Sequence, residues 1–318
     1  MFKYDEQRLN VDEVIGTGSF GQVHPYQKDP NDKKWVVKWI VAKNVDSLIK
    51  TLDEVVLGFN CHHPAIVPIR GYYIERLNKT GFQVFIKMPR MTKNLNQLIT
   101  KGYKGNLSEE AIIKWLYTLL GGLEYLHKKG IVHRDVKPSN ILIDEEDNIR
   151  LTDIGSAQLI SEEELNNPQT QLLGTCNYMA PEFKECRQEL KKQDLFLSDV
   201  WGLGISFAEL CLMKQGLVMF EEPNKGNIVE KILLDIQANF SQDFTDIMKG
   251  MINVDYKQRN SVKGTLELIR SKYGKIIVKI FLRIFFILYR KEIRKFYVKN
   301  VKNCKEIRHH QMRSIQRI

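Results

Sequence analysis

Eight consecutive residues, His133-Arg134-Asp135-Val136-Lys137-Pro138-Ser139-Asn140, carry the polar groups that phosphoryl transfer requires, and Thr152-Asp153-Ile154-Gly155 follows a short way downstream. Asp135 can accept the proton of an attacking hydroxyl, Lys137 can neutralise a γ-phosphate, and Asn140 with Asp153 can hold magnesium between phosphate oxygens. Magnesium suits such a pair because it keeps several waters and takes only one or two protein oxygens beside phosphates.

A second constellation lies near the amino terminus. Gly16-Thr17-Gly18-Ser19-Phe20-Gly21-Gln22-Val23 spaces its glycines as G-x-G-x-x-G-x-V, so backbone N–H groups can approach a phosphate with no side chain in the way. Alone the run would read equally well as a glycine-containing hairpin turn. Lys38 follows inside an apolar stretch, Trp35-Val36-Val37-Lys38-Trp39-Ile40, where an idle charge is out of place. Downstream, Glu54 stands ten residues before Pro64; it is the acidic partner that the family resemblance set out below implies for Lys38, and a shifted register would offer Asp53 instead, with Leu57 as the packed residue.

The elements that must hold these groups change character along the chain. From about residue 9 to residue 90 the apolar pattern is short and alternating, as in Phe82-Gln83-Val84-Phe85-Ile86, which reads as strands. One helix interrupts them: Ser47 to Phe59 places Leu48, Leu52, Val55 and Val56 at helical spacing, with His63-Pro64 as its stop. Pro89 to Asn94 reads as a connection. Beyond it the period lengthens, with Ser108 as a cap before a run to His127, and helical patterns at 194–213 and 241–252.

The octet matches H-R-D-x-K-P-x-N at every fixed position, and Gly174-Thr175-Cys176-Asn177-Tyr178-Met179-Ala180-Pro181-Glu182 stands downstream of it. Together with the glycine run, these motifs resemble the eukaryotic protein kinase family, and Lys137 and the segment Gly174 to Glu182 both resemble its serine/threonine type. The resemblance covers about residues 9–270. It implies an α+β bilobal protein kinase fold, with a small antiparallel-sheet lobe holding one helix (about 9–90) and a larger, mainly helical lobe (about 91–270). Residues 1–8 would be a short extension.

The resemblance further implies transfer of the γ-phosphoryl group of ATP, with Mg2+, to a serine or threonine hydroxyl of a protein substrate. Asp135, Lys137, Lys38 and Glu54 would be the catalytic set, and Asn140 and Asp153 the metal ligands. ATP would meet Gly16, Thr17, Gly18, Ser19, Phe20, Gly21, Val23, Val36, Lys38, Leu142 and Met88, with Arg90 and Met91 in the connection. Thr175 would bridge Asp135 and Lys137. Asp199 would hold the catalytic-loop backbone, and Arg259 would form a buried pair with Glu182. Arg134 would pair with a phosphate on the segment 153–182, with Thr170 the best-placed acceptor and Ser161 second. The run Glu162-Glu163-Glu164 reads as a solvated loop face.

Three positions depart from the family pattern. Val36 replaces a small alanine over adenine and would narrow the pocket. Gly58 replaces a leucine four residues after Glu54, and Ile154 replaces the phenylalanine after Asp153. The last two would thin the packed column between the lobes; Ile154 reads equally as a substitution without consequence.

Bulk properties limit the partners. Residues 272–318 hold 14 Lys and Arg against 2 Asp and Glu, so of the formal charge of +10 the preceding residues carry −2. The body therefore gives no electrostatic reason to expect nucleic acid. Cys61, Cys176, Cys186, Cys211 and Cys304 lack Cys-x-x-Cys spacing, which argues against a disulfide framework or zinc site and for a reducing compartment. Met1 to Arg8 mixes charges at once, unlike a signal peptide, so a cytoplasmic location is expected.

In the tail, 271–318, Ile276 to Tyr289 is apolar but twice charged and shorter than the roughly 20 residues of a spanning helix. Lys272, Lys275, Lys279, Arg283, Arg290 and Arg294 fall on one helical face, which reads as a basic amphipathic segment for a membrane surface or a calmodulin-like partner. Docking of its apolar face on the protein's own helical lobe is equally open.

Overall fold

The computed structural model describes residues 9–18, 21–26, 34–77, 81–102, 107–154, 158–159, 175–185, 192–218 and 225–279. The chain divides into two compact units, 1–269 and 270–318. In the second unit residues 270–279 are helical; the remainder of the tail segment, 280–318, lies outside the described residues.

The first unit opens with a five-stranded antiparallel sheet built from β1 (Gly16–Gly18), β2 (Gly21–Pro25), β3 (Trp35–Ala42), β4 (Gly71–Arg76) and β5 (Phe82–Pro89), in the order β1-β2-β3-β5-β4. Alternation along β3 sends Val36, Lys38, Ile40 and Ala42 to one face and Trp35, Val37 and Trp39 to the other. The first face packs Ile40, Val84 and Ile86 against Val55 of helix α1 (Val45–Phe59), with Leu48, Ile69, Ile74 and Met88 around them. On the second face Tyr26, Val37 and Phe85 are buried among Leu9, Trp35 and Trp39. This sheet is thus covered on both sides.

Helix α1 begins earlier than the sequence pattern suggests. Asn44 and Ser47 form a reciprocal capping box, the Asn44 side chain accepting from Ser47 N at 2.8 Å and Ser47 Oγ accepting from Asn44 N at 3.1 Å. Its stop is also local rather than imposed by Pro64: the helix ends at Phe59, and Asn60 returns both its backbone N–H and its side-chain amide to the Val56 carbonyl.

The larger part is mainly helical. Short strands β6 (Lys93–Asn94), β8 (Ile141–Ile143) and β9 (Ile149–Leu151) form one small sheet; β7 (Ile131–Val132) pairs with β10 (Gln158–Leu159). Around them stand α2 (Leu95–Lys101), α3 (Glu109–Lys128), the short α4 (Glu182–Glu185), α5 (Lys192–Leu212), α6 (Lys225–Gln237) and α7 (Gln242–Met251), with residues 262–269 also helical. The Ser108 hydroxyl caps α3 by accepting from Ala111 N. Helix α5 is largely apolar and fully buries Val200, Trp201, Leu203, Ile205 and Phe207, as expected of a core helix. The architecture is α+β, an antiparallel-sheet lobe followed by a helical lobe.

Candidate active site

The loop after β7 is held from beneath by Asp199 of α5, which is 1 % exposed. Its carboxylate accepts from His133 N at 2.9 Å and Arg134 N at 2.8 Å, and His127 Nε2 of α3 lies 2.8 Å away. Burial alone would raise its pKa; the His127 contact, then His133, hold it below the usual value. These bonds fix Arg134 with a φ of 68°, a left-handed conformation that costs a non-glycine residue about 1–3 kcal/mol. His133 braces the loop from the other side: Nε2 donates to Thr152 O at 3.1 Å, while Nδ1 faces the Asp135 N–H at 3.4 Å.

Asp135 emerges from this support 6 % exposed, with all four contacts to its carboxylate coming from motif residues. Oδ1 accepts from Thr175 N and Thr175 Oγ1, both at 2.9 Å. Oδ2 accepts from Lys137 Nζ at 2.7 Å and Asn140 Nδ2 at 2.9 Å. Lys137 also donates to Thr175 Oγ1, so Thr175 bridges the two residues. Burial would push the Asp135 carboxyl up, but Lys137 and then Thr175 more than offset it, and its pKa lies below the usual value. The carboxylate is ionised at neutral pH and can take a hydroxyl proton.

About the sheet lobe, Lys38 Nζ lies 2.9 Å from Glu54 Oε1 and 3.0 Å from Asp153 Oδ1. Burial alone would depress the ammonium; the two carboxylates overcome it and raise the pKa. Burial likewise pushes Glu54 up, against the pull of Lys38. Glu54 and not Asp53 faces the lysine, because Asp53 sits on the exposed side of α1. Asp153 adopts φ 63°, which turns its carboxylate toward Lys38.

Gly58 and Ile154 do not leave a thinned column. A methyl built on Gly58 would fall 2.6 Å from Ile69 Cδ1, so Ile69, from the segment before β4, fills the space; Ile154 is itself buried. A cavity of about 30 Å³ beside Lys38 is lined by Glu54, Gly58, Ile69, Met88, Asp153 and Ile154, among others.

The remaining nucleotide-side residues fall on the strands flanking Lys38. Val23 pairs with Lys38 across β2 and β3, and Val36 with Met88 across β3 and β5. Gly16 and Thr17 face Val23 and Gln22, and Gly18 faces Gly21. Gly21, at φ 148°, admits no side chain, since a Cβ would fall 2.2 Å from Trp39 O. Ser19 and Phe20 lie outside the described residues. Arg90 donates its N–H to Lys34 O, and its guanidinium lies 3.9 Å from Glu13; Met91 follows it, half-buried. Leu142 is half-buried between fully buried Ile141 and Ile143, so it faces away from the core they share.

Thr170 and Ser161 also lie outside the described residues, as does the Glu162-Glu163-Glu164 run. Past that segment, Glu182 and Arg259 form a bidentate pair at 2.6 and 2.9 Å, with Arg259 also donating to Asn253 O and Leu197 O. Sequence patterns did not single out His127, Ile69, or the buried Glu209, which accepts from Tyr178 OH at 2.8 Å and Gly216 N at 2.6 Å. Tyr178 lies within the Gly174–Glu182 motif, but its partner is 31 residues away on α5.

The donor set fits magnesium. Asn140 spends its Nδ2 on Asp135, and Asp153 spends Oδ1 on Lys38, so Asn140 Oδ1 and Asp153 Oδ2 carry no hydrogen bond among the described residues. Thr152 N donates to Asn140 O at 2.9 Å, which brings the two ligand candidates side by side.

Comparison with known proteins places this arrangement. The chain is 29 % identical over 265 residues to a protein of Oryza sativa subsp. japonica named serine/threonine-protein kinase Nek3, covering 82 % of this chain and 43 % of that protein. It is 28 % identical over 265 residues to human serine/threonine-protein kinase Nek2, covering 80 % of this chain and 57 % of that one. It is 31 % identical over 265 residues to a probable serine/threonine-protein kinase nek2 of Dictyostelium discoideum, covering 80 % and 60 %. The chain thus spans about half the length of these curated relatives. The model of the protein kinase domain matches residues 9–273, and the chain belongs to that family.

Proposed function

We propose that the chain is an ATP-dependent protein serine/threonine kinase. The observation that carries this reading is the Asp135 carboxylate, ionised, buried and held by Lys137, Asn140 and Thr175 in one hydrogen-bonded group. Asp135 accepts the proton of the acceptor hydroxyl as that oxygen attacks the γ-phosphorus. Lys137 neutralises charge on the transferred phosphoryl group, and Thr175 keeps both side chains in register. Lys38, oriented by Glu54, holds the α- and β-phosphates, beneath a backbone cradle supplied by the glycine run 16–21. Asn140 and Asp153 would hold Mg2+, which supplies charge neutralisation between phosphate oxygens when bound. Val36, Val23, Met88 and Leu142 form the apolar lining for the base, with Arg90 and Met91 at its edge. Arg134 serves as the partner of a phosphate on the segment containing Thr170.

The direct test is magnesium-dependent transfer of labelled phosphate from ATP to a generic basic protein, comparing the wild type with Asp135→Asn and followed by phosphoamino-acid analysis. Label on serine or threonine that falls by about 10²–10⁴ in the variant is expected for loss of a general base. Equal labelling by the two proteins would overturn the assignment.

We further propose a cytoplasmic protein whose segment 272–318 makes peripheral contact with an anionic membrane surface, supported by its basic amphipathic pattern. Deleting it should leave transfer intact and abolish binding to phosphatidylserine vesicles. Retained vesicle binding would refute the membrane role, and binding to calmodulin in its place would reassign it.

A further inference from the structure

His24 of β2 is wholly buried, yet nothing in the phosphoryl-transfer machinery uses it. Its Nδ1 lies 3.2 Å from Asn10 O and 3.1 Å from Glu13 O. Both are backbone acceptors, so Nδ1 must carry the proton and share it between two carbonyls. Nε2 has no hydrogen-bond partner among the described residues. A buried histidine with one ring nitrogen unsatisfied costs stability, whereas an aliphatic residue in its place would not. The cost is offset by what Nδ1 holds.

What it holds is the strap that leads into the glycine hairpin. Residues 9–15 fold back along β2: Leu9 bridges Tyr26, Asn10 N donates to Pro25 O at 3.2 Å, and Ile15 N donates to Val23 O at 2.9 Å. Gly16, the next residue, begins β1 opposite Val23. Glu13 also approaches Arg90, in the connection between the lobes, at 3.9 Å. The strap is therefore held along β2 by Leu9 and Asn10 at one end and by Ile15, next to the phosphate-cradling hairpin, at the other, with His24 tethering the Asn10 and Glu13 carbonyls between them.

We infer that His24 is a positioning residue for nucleotide: by holding the Asn10 and Glu13 carbonyls it sets the height of the glycine hairpin over the phosphates. This rests on the ATP-binding reading above. Losing the tether leaves residues 10–15 held to β2 only by the Asn10 and Ile15 backbone bonds, and the entry to the hairpin loosens. Nucleotide binding weakens while the Asp135 group, on the other lobe, keeps its geometry.

The test uses the full chain and a fluorescent ATP analogue with magnesium, read as Kd, together with KM for ATP, kcat and Tm. His24→Phe fills the space but removes the donor. His24→Asn places an amide nitrogen near the position of Nδ1. Expected is a weakening of analogue binding by about tenfold in His24→Phe, as for loss of one buried hydrogen bond, with kcat within about twofold, and recovery to within about twofold of the wild type in His24→Asn. An unchanged Kd with a lowered Tm in His24→Phe would show a merely structural role and overturn the inference, as would a His24→Asn variant as weak as His24→Phe. Should His24→Phe fail to fold, hydrogen exchange of the wild-type Ile15 amide decides: slower exchange on adding the analogue supports the coupling, and no change overturns it. No binding of the analogue by the wild type would overturn the nucleotide reading itself.

Discussion

Gly58 and Ile69 make a coupled pair whose energetics can be worked out before measurement. Adding one methyl in Gly58→Ala puts carbon 2.6 Å from Ile69 Cδ1 and 3.3 Å from Ile69 Cγ1. Comfortable carbon contacts lie at about 3.5–4.0 Å, so the overlap is about 1 Å. Ile69 packs against the cluster of Ile40, Val55, Val84 and Ile86, which resists its displacement. Overpacking of this kind costs about 1–3 kcal/mol, while alanine in place of glycine in a helix returns about 1 kcal/mol. The single variant should therefore be destabilised by about 1 kcal/mol. Ile69→Val, which removes the offending methyl and leaves a small hole, should also cost about 1 kcal/mol. In the double variant the new methyl occupies that hole and the helix gain remains. It should match the wild type to within about 0.5 kcal/mol, a coupling of about 1.5–2 kcal/mol. Urea unfolding followed by tryptophan fluorescence gives all four corners of the cycle. Because Glu54 lies one turn before Gly58 on α1, KM for ATP should rise in Gly58→Ala and recover in the double variant. Additive destabilisation, or a Gly58→Ala protein more stable than wild type, would refute the claim that Ile69 fills the gap.

Four further outcomes are expected. Glu182→Gln should destabilise the protein by about 3–5 kcal/mol, because Arg259 stays buried without its counter-charge, and Tm by scanning calorimetry would show it. Glu54→Ala should raise KM for ATP whereas Asp53→Ala should not, a difference steady-state kinetics reads directly. Thr175→Val keeps the N–H bond to Asp135 but removes the hydroxyl shared with Lys137, and kcat should fall about tenfold. Since the folded pKa of Asp135 lies below its ordinary 3.8, its ionised contacts add stability above that value and lose it as pH falls through the depressed one. The stability difference, wild type minus Asp135→Asn, should accordingly shrink as the pH is lowered through and below 3.8 in urea titrations.

Motif spacing made the polar groups of this site legible, because consecutive residues of a tight loop cannot be far apart. It names Asp135, Lys137 and Asn140, to which the family resemblance adds Thr175, and these share one hydrogen-bonded group. The choice of Glu54 over Asp53 rested on spacing to Pro64, and the exposed side of α1 takes Asp53. What spacing could not reach were partners supplied by remote segments. Ile69 filling the Gly58 gap, His127 joining Asp199, and Glu209 under Tyr178 all depend on how helices pack, which no local pattern encodes. Helix ends failed for a different reason: the Asn44 and Asn60 caps are side-chain bonds that compete with the cruder proline signal.

The order in which Lys38's two partners leave the ribosome follows from their places in the chain. Asp153 lies 115 residues after the lysine, and Glu54 only 16. At synthesis rates of about 5–20 residues per second, Asp153 appears about 6–23 s later than Lys38, and Glu54 within about 1–3 s. For most of that interval a sheet that buries Lys38 would have to carry a lone ammonium, were it not for the nearby glutamate. The side chain that orients the lysine in the finished protein is thus the first of its two partners to be made, and the one already present when the strands of the sheet lobe are complete.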